Sequence, residues 1–220
     1  MSKKIWKDNG LTMVLMLMFA VSIVGHFFAG WMVENEDLAR HGEQGIALSQ
    51  FLVEPLFIST VFENWESEFL QMATYVILTA CLFQRGSAES RDPDAPPRDK
   101  GLAREGKQPD APGVQRWGHT ARQLYANSLG RALVALFAVS FVLHWLFSAR
   151  DAAAEAALHG DTGPSALVHL SSAQFWFESF QNWQSEFLST AVLIVLSIFL
   201  RQQESPESKG VAAPDSQTGA

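Results

Sequence analysis

Two stretches of this chain contain no Asp, Glu, Lys or Arg: Leu11 to Val33, 23 residues, and Ala132 to Ala149, 18 residues. A helix that crosses the hydrocarbon of a bilayer needs about 20 apolar residues, and a charge at its centre costs about 2.5–3.5 kcal/mol on insertion scales. Runs of this length predict membrane-spanning helices and exclude a water-soluble globular enzyme as the starting point. The formal net charge of −7 argues against nucleic acid as a partner. Lys3, Lys4 and Lys7 give the N-terminus the look of a signal peptide. The apolar run behind them is too long and lacks a small-residue cleavage site, so it reads as a retained anchor. The single cysteine, Cys81, permits no intrachain disulfide and no thiolate metal site, and its apolar neighbours mark it as a small buried hydrophobe.

The chain repeats itself at a shift of 118 residues. Phe19-Ala20-Val21-Ser22-x-Val24-x-His26 falls on Phe137-Ala138-Val139-Ser140-x-Val142-x-His144, and Asn64-Trp65-x-Ser67-Glu68-Phe69-Leu70 on Asn182-Trp183-x-Ser185-Glu186-Phe187-Leu188. His41-Gly42-x-x-Gly45 matches His159-Gly160-x-x-Gly163. Residues 9–84 and 127–202 share 26 identities in 76 ungapped pairs. Such agreement points to duplication of one unit. Each unit reads as an apolar helix, a polar loop and a second apolar stretch. The second stretches, Phe69 to Phe83 and Phe187 to Leu200, are short for a bilayer, so their helices must extend back through Glu68 and Asn64, and through Glu186 and Asn182.

These features predict an all-α membrane protein with four transmembrane helices, arranged as two tandem helical-hairpin repeats. The first repeat is 1–85, with spans near 11–33 and 64–84; the second is 121–202, with spans near 129–149 and 182–201. The linker 86–120 and the tail 203–220 are rich in Pro, Gly and charge and are predicted to be disordered. Basic residues set orientation. The N-terminus, the segment 85–131 and the C-terminal residues 201–220 carry 3, 9 and 2 Lys or Arg, whereas the loops 34–63 and 150–181 carry only Arg40 and Arg150. Both termini and the linker are therefore expected in the cytoplasm of a bacterial cell, with the chain in its inner membrane. Two spans per repeat give both hairpins the same orientation, so the pseudo-two-fold axis runs along the membrane normal, a parallel repeat. Trp6 and Trp117 fall on the inner side, and Trp31, Trp65, Trp145, Trp176 and Trp183 near the outer ends, as interfacial residues do.

Residues identical in both repeats outline helix faces. Leu11, Leu15, Phe19, Ser22 and His26 form one stripe, and Asn64, Ser67, Glu68, Leu78 and Leu82 another. Lipid accepts any apolar side chain while a helix contact restricts the choice, so these stripes are the expected packing faces. His26, Glu68, His144 and Glu186 lie at similar depths below the outer surface and form a candidate polar cluster. Two readings compete for it: neutral imidazoles bridging helices, or a proton or cation site. Asn64 and Asn182 suit helix N-caps, Ser67 and Ser185 a first turn, and Trp65 and Trp183 the interface. His41 and His159 precede Gly in outer loops and read first as helix-end residues rather than ligands. Ser49 to Phe62 and Leu167 to Phe180 fit either an interfacial amphipathic helix or a re-entrant element. No catalytic motif is present, the Glu-x-x-His spacing of di-metal bundles is absent, and no cofactor or metal is implied.

The segments FENWESEFLQ and LFQRGSAES, echoed by FQNWQSEFLS and FLRQQES, resemble a family of small bacterial membrane proteins classed only as a domain of unknown function. The resemblance implies membrane location and brings no activity. Three functional classes follow, in order of expectation: a structural or interaction protein of the cell envelope, a small transporter or channel using the His and Glu residues, and a membrane enzyme or metal-binding protein. The lipid bilayer is the one partner the sequence names; a protein partner and the oligomeric state stay open. The topology has a direct check. In a Cys81→Ser background, Glu105→Cys should resist an impermeant thiol reagent in intact cells and Glu43→Cys should react. The reverse pattern overturns the orientation.

Overall fold

The computed structural model describes residues 2–97, 113 and 118–219, and among them every regular element is helical. In chain order these are α1 (Ser2–Arg40), α2 (Leu48–Phe51), α3 (Pro55–Cys81), α4 (His119–Ala126), α5 (Ser128–Leu158), α6 (Ala166–Leu170) and α7 (Ala173–Phe199). Three contain stretches long and apolar enough to cross a membrane: Ile5–Arg40, Ser128–Leu158 and Ala173–Phe199. Of the span expected over 64–84, residues 64–81 lie in α3, which ends at Cys81; it is as long as α7 at 27 residues but carries Glu63, Glu66 and Glu68 in its middle. Of the predicted linker, 98–112 and 114–117 lie outside the described residues. The helices divide between two compact units, 1–61 with 145–169, and 62–144 with 170–220.

The first unit is organised around Phe51, which is buried. Its ring seats against Gly30, where a Cβ would stand 3.0 Å from it. Phe27, Phe51 and Phe57 stack 5.3–5.6 Å apart, tying α1, α2 and the start of α3 together. Two tryptophans fasten the loops: Trp31 Nε1 donates to the Ile46 carbonyl at 2.8 Å, and Trp145 Nε1 to that of Ala166 at 2.7 Å. Helices α1 and α5 end in the same way. Gly42 and Gly160 both have φ +76°, and the next amides, Glu43 and Asp161, reach back to the carbonyls of Leu38 and Ala156 at 2.9 Å. This is the Schellman closure, and it explains the shared His-Gly pair: a left-handed residue after the helix favours glycine.

Pro55 is the first residue of α3 rather than an interruption, because its missing N–H is no loss in a first turn. Helix α7 starts at a serine cap, Ser172 Oγ accepting from the Phe175 amide at 3.2 Å. Both starts correct the expected N-caps. Asn64 and Asn182 are each the tenth residue of their helices, and Ser67 and Ser185 are mid-helix, their hydroxyls donating back to the Asn64 and Asn182 carbonyls at 2.9 and 2.8 Å. Residues 55–62 and 173–180 are accordingly the first turns of α3 and α7. Cys81 is exposed at the end of α3, not buried. The shared stripe also divides between the copies. In α5, Leu133 and Phe137 are half-buried and Ser140 and His144 fully so, whereas in α1 Leu11, Leu15, Phe19 and Ser22 are exposed.

The second unit holds most of α3, α5 and α7, with α4 and two polar segments. The Glu186 carbonyl, Ser189 Oγ and Thr190 Oγ1 of α7 all lie 2.8–3.0 Å from Gln71 Nε2 on α3 and share its two protons. Gly130 on α5 admits Ile77 of α3, at 3.3 Å from where a Cβ would stand. Beyond the helices, residues 84–90 and the tail fold onto each other, although their composition predicts disorder. Ser87 Oγ and Ser197 Oγ are 2.8 Å apart, the Gly86 amide donates to Thr218 Oγ1 at 2.9 Å, and the Gly219 amide donates to the Ser87 carbonyl at 2.9 Å. Lys209 organises the clasp. It is 1% exposed, and five carbonyl oxygens, those of Gly86, Ile198, Pro214, Asp215 and Gln217, lie 2.6–3.4 Å from its Nζ and share its three protons. A buried ammonium is tolerated only when hydrogen-bonded, and these carbonyls supply that. Lys209→Met should therefore speed backbone hydrogen exchange across 85–90 and 202–219 while leaving 145–158 unchanged. Unaltered exchange in the tail would mean that other contacts hold it.

Candidate functional site

The second unit contains a buried ionisable pair. Glu66 on α3 and His144 on α5 are both fully buried, and His144 Nδ1 lies 2.8 Å from Glu66 Oε2. The other carboxylate oxygen, Oε1, accepts from Trp183 Nε1 of α7 at 2.9 Å. One carboxylate thus joins three helices. On the far side of the imidazole, His144 Nε2 stands 3.7 Å from Glu178 Oε2, beyond hydrogen-bond length, while Gln174 donates to Glu178 Oε1 at 2.7 Å. Asn182 bridges the rest, donating to Glu63 Oε1 and to the Glu178 carbonyl. Glu63 lies in the field of His144, Glu178 and Glu66.

Aromatic rings enclose this group. Phe175, itself buried, lies 4.9 Å from the His144 ring, and Phe141 and Trp176 pack on Phe175 at 5.6 Å each. Trp183 is held edge-on by Trp176 and Phe180. The indole N–H that reaches Glu66 is therefore fixed in direction by packing. In these apolar surroundings a hydrogen-bonded polar group of this kind is strongly directional, and removing one partner leaves an uncompensated buried group.

The four residues expected to cluster are distributed differently. His26 belongs to the first unit, where its Nε2 lies 3.1 Å from Thr60 Oγ1 and its ring 5.5 Å from that of Phe57. The carboxylates paired with His144 are Glu66 and Glu178, not Glu68 or Glu186. Glu68 is exposed and Glu186 half-buried, and Glu186 lies in the field of Glu68. The reason is helical phase: residues two apart point about 200° away from one another, so Glu66 and Glu68 cannot share a face. Trp65 packs edge-on against Phe62, and Trp183, expected only at an interface, is a ligand of the buried carboxylate.

A regularity ties the two histidines together. Phe57 and Phe175 are 118 residues apart, as are Thr60 and Glu178, so each imidazole meets a phenylalanine and a polar side chain at matching repeat positions. The copies differ in that polar group, Thr against Glu, and at Glu66, whose counterpart is Gln184. Comparing the repeats for identity passes over Glu63, Glu66 and Glu178. The available signal was the reverse one, a carboxylate present in one copy of an otherwise apolar helix and absent from the other.

Removing the Glu66 side chain should be expensive. Glu66→Ala is expected to destabilise the protein in detergent by about 3–5 kcal/mol, as for other broken buried pairs. Thr60→Ala, which removes one neutral hydrogen bond, should cost only about 1 kcal/mol. Thermal unfolding followed by tryptophan fluorescence measures both. Equal, small losses would show that the Glu66 pair contributes nothing beyond an ordinary contact.

No curated protein and no solved structure matches this chain. Its sequence does match, over residues 2–220, the family described as Domain of unknown function (DUF6766), so the chain belongs to that family.

Proposed function

We propose that this chain is a four-span protein of the bacterial inner membrane, with both termini in the cytoplasm, that serves the cell envelope as a structural or interaction protein and not as an enzyme. Its spans are α1, α3, α5 and α7, arranged as two parallel hairpins that arose by duplication. Helix α3 qualifies in spite of its carboxylates because Glu66 is buried against His144 and Trp183 instead of facing lipid. The observation that carries the reading is this clamp: a single carboxylate binds three helices and is closed in by aromatic rings. Such a group fixes which helices pair and in what register. Helix α1 supplies a surface for lipid or a partner, since its most apolar stretch has no buried residue.

A second reading, a small transporter or channel, draws on one atom. Among the described residues His144 Nε2 is buried with no partner at hydrogen-bond length, and it faces Glu178 Oε2 at 3.7 Å. That gap fits a proton or small cation in transit. Reconstitution separates the two. In liposomes enclosing a pH-sensitive dye, the structural reading expects no proton flux above empty liposomes, and no change on Glu66→Gln. Flux that Glu66→Gln abolishes would replace it with the transport reading.

A further inference from the structure

The second pair of repeat-related histidines lies outside the buried cluster. His41 and His159 follow the last turns of α1 and α5, both within the first unit, and both are exposed. Their ring centroids are 5.1 Å apart with the planes at 76°. In each ring Nδ1 lies 3.0 Å from the carbonyl oxygen four residues earlier, Asp37 for His41 and Glu155 for His159. A carbonyl can only accept, so Nδ1 carries the proton and Nε2 the free lone pair. Imidazoles that bind metals are usually held in this way, with the second ring nitrogen donating to a carbonyl or carboxylate.

We propose that His41 and His159 form a two-histidine site for a borderline divalent transition metal, with Zn²⁺ as the reference ion, bound through both Nε2 atoms across the C-terminal ends of α1 and α5. Three further observations support the assignment. A metal held by two imidazole nitrogens at about 2.0–2.1 Å, at a tetrahedral angle, sets the ring centroids about 5 Å apart, and these rings already stand at that spacing. Both rings sit at helix C-termini, where the exposed carbonyls favour positive charge. Within the first unit the segments 34–61 and 150–169 carry five and three carboxylates against one arginine each, a field that concentrates cations. Imidazole donors select Zn²⁺, Cu²⁺ or Ni²⁺ over Ca²⁺ and Mg²⁺. Among the described residues no third His, Cys, Asp or Glu joins the pair, so water completes the coordination and the metal exchanges readily.

The test uses the full chain in detergent, purified through a tag without histidine, and titrated with Zn²⁺ against a chromogenic indicator. One metal per chain is expected. His41→Ala and His159→Ala should each weaken binding by at least about 10-fold, and His119→Ala should leave it unchanged. His41→Gln keeps a polar side chain at the helix end and should fail to bind in the same way, which separates lost ligation from a disturbed helix end. With Cu²⁺ as probe, the paramagnetic resonance spectrum should report two coordinating imidazoles, reduced to one in either single variant. The proposal is overturned if the wild-type chain binds no Zn²⁺, or if either alanine variant binds as the wild type does. Recovery of binding on mixing the His41→Ala and His159→Ala proteins would also overturn it, because the site would then form between chains.

Discussion

The second unit depends on one contact, the Glu66–His144 hydrogen bond inside an aromatic enclosure. A carboxylate on a helix otherwise made for an apolar setting is costly unless a partner meets it, and α3 carries three in its middle. Once Glu66 is placed against His144, the rotation of α3 is fixed, and Trp183 follows because the second oxygen still needs a donor. Gln71, further along α3, then faces α7 and finds three acceptors there. The polar contacts of these helices are therefore consequences of a single phase choice.

Much of the fold was legible in the sequence. The uncharged runs over 11–33 and 132–149 lie inside α1 and α5, because bilayer thickness and helical rise leave little freedom in reading them. The helix starts were less legible. Pro55 reads as a break, although at a first helical position it does no harm, and Asn64 reads as a cap although the helix is already under way. The conserved spacing of His26 and His144 did mark two polar centres. The carboxylate partners of His144 stayed hidden because a comparison of repeats reveals what the copies share, while Glu66 and Glu178 are present in one copy and absent from the other.

The clasp of 84–90 with the tail illustrates a different limit. Its acceptors are backbone carbonyls, which every residue possesses, so composition gives no sign that five of them converge on Lys209. What composition does report, a shortage of apolar surface, is real; the segment orders around a buried charge in place of a hydrophobic core.

The clamp also bears on the order in which the chain is built. Both groups that bond to Glu66, His144 and Trp183, come more than 70 residues later in the sequence. During synthesis the Glu66 carboxylate stays unmatched until His144 and then Trp183 have been made. The two stretches related by the 118-residue shift are thus unequal: Glu66 has Gln184 as its counterpart, and the buried carboxylate is satisfied only by residues from the later stretch. A chain divided between Glu66 and His144 would leave the carboxylate without either partner until the two pieces met.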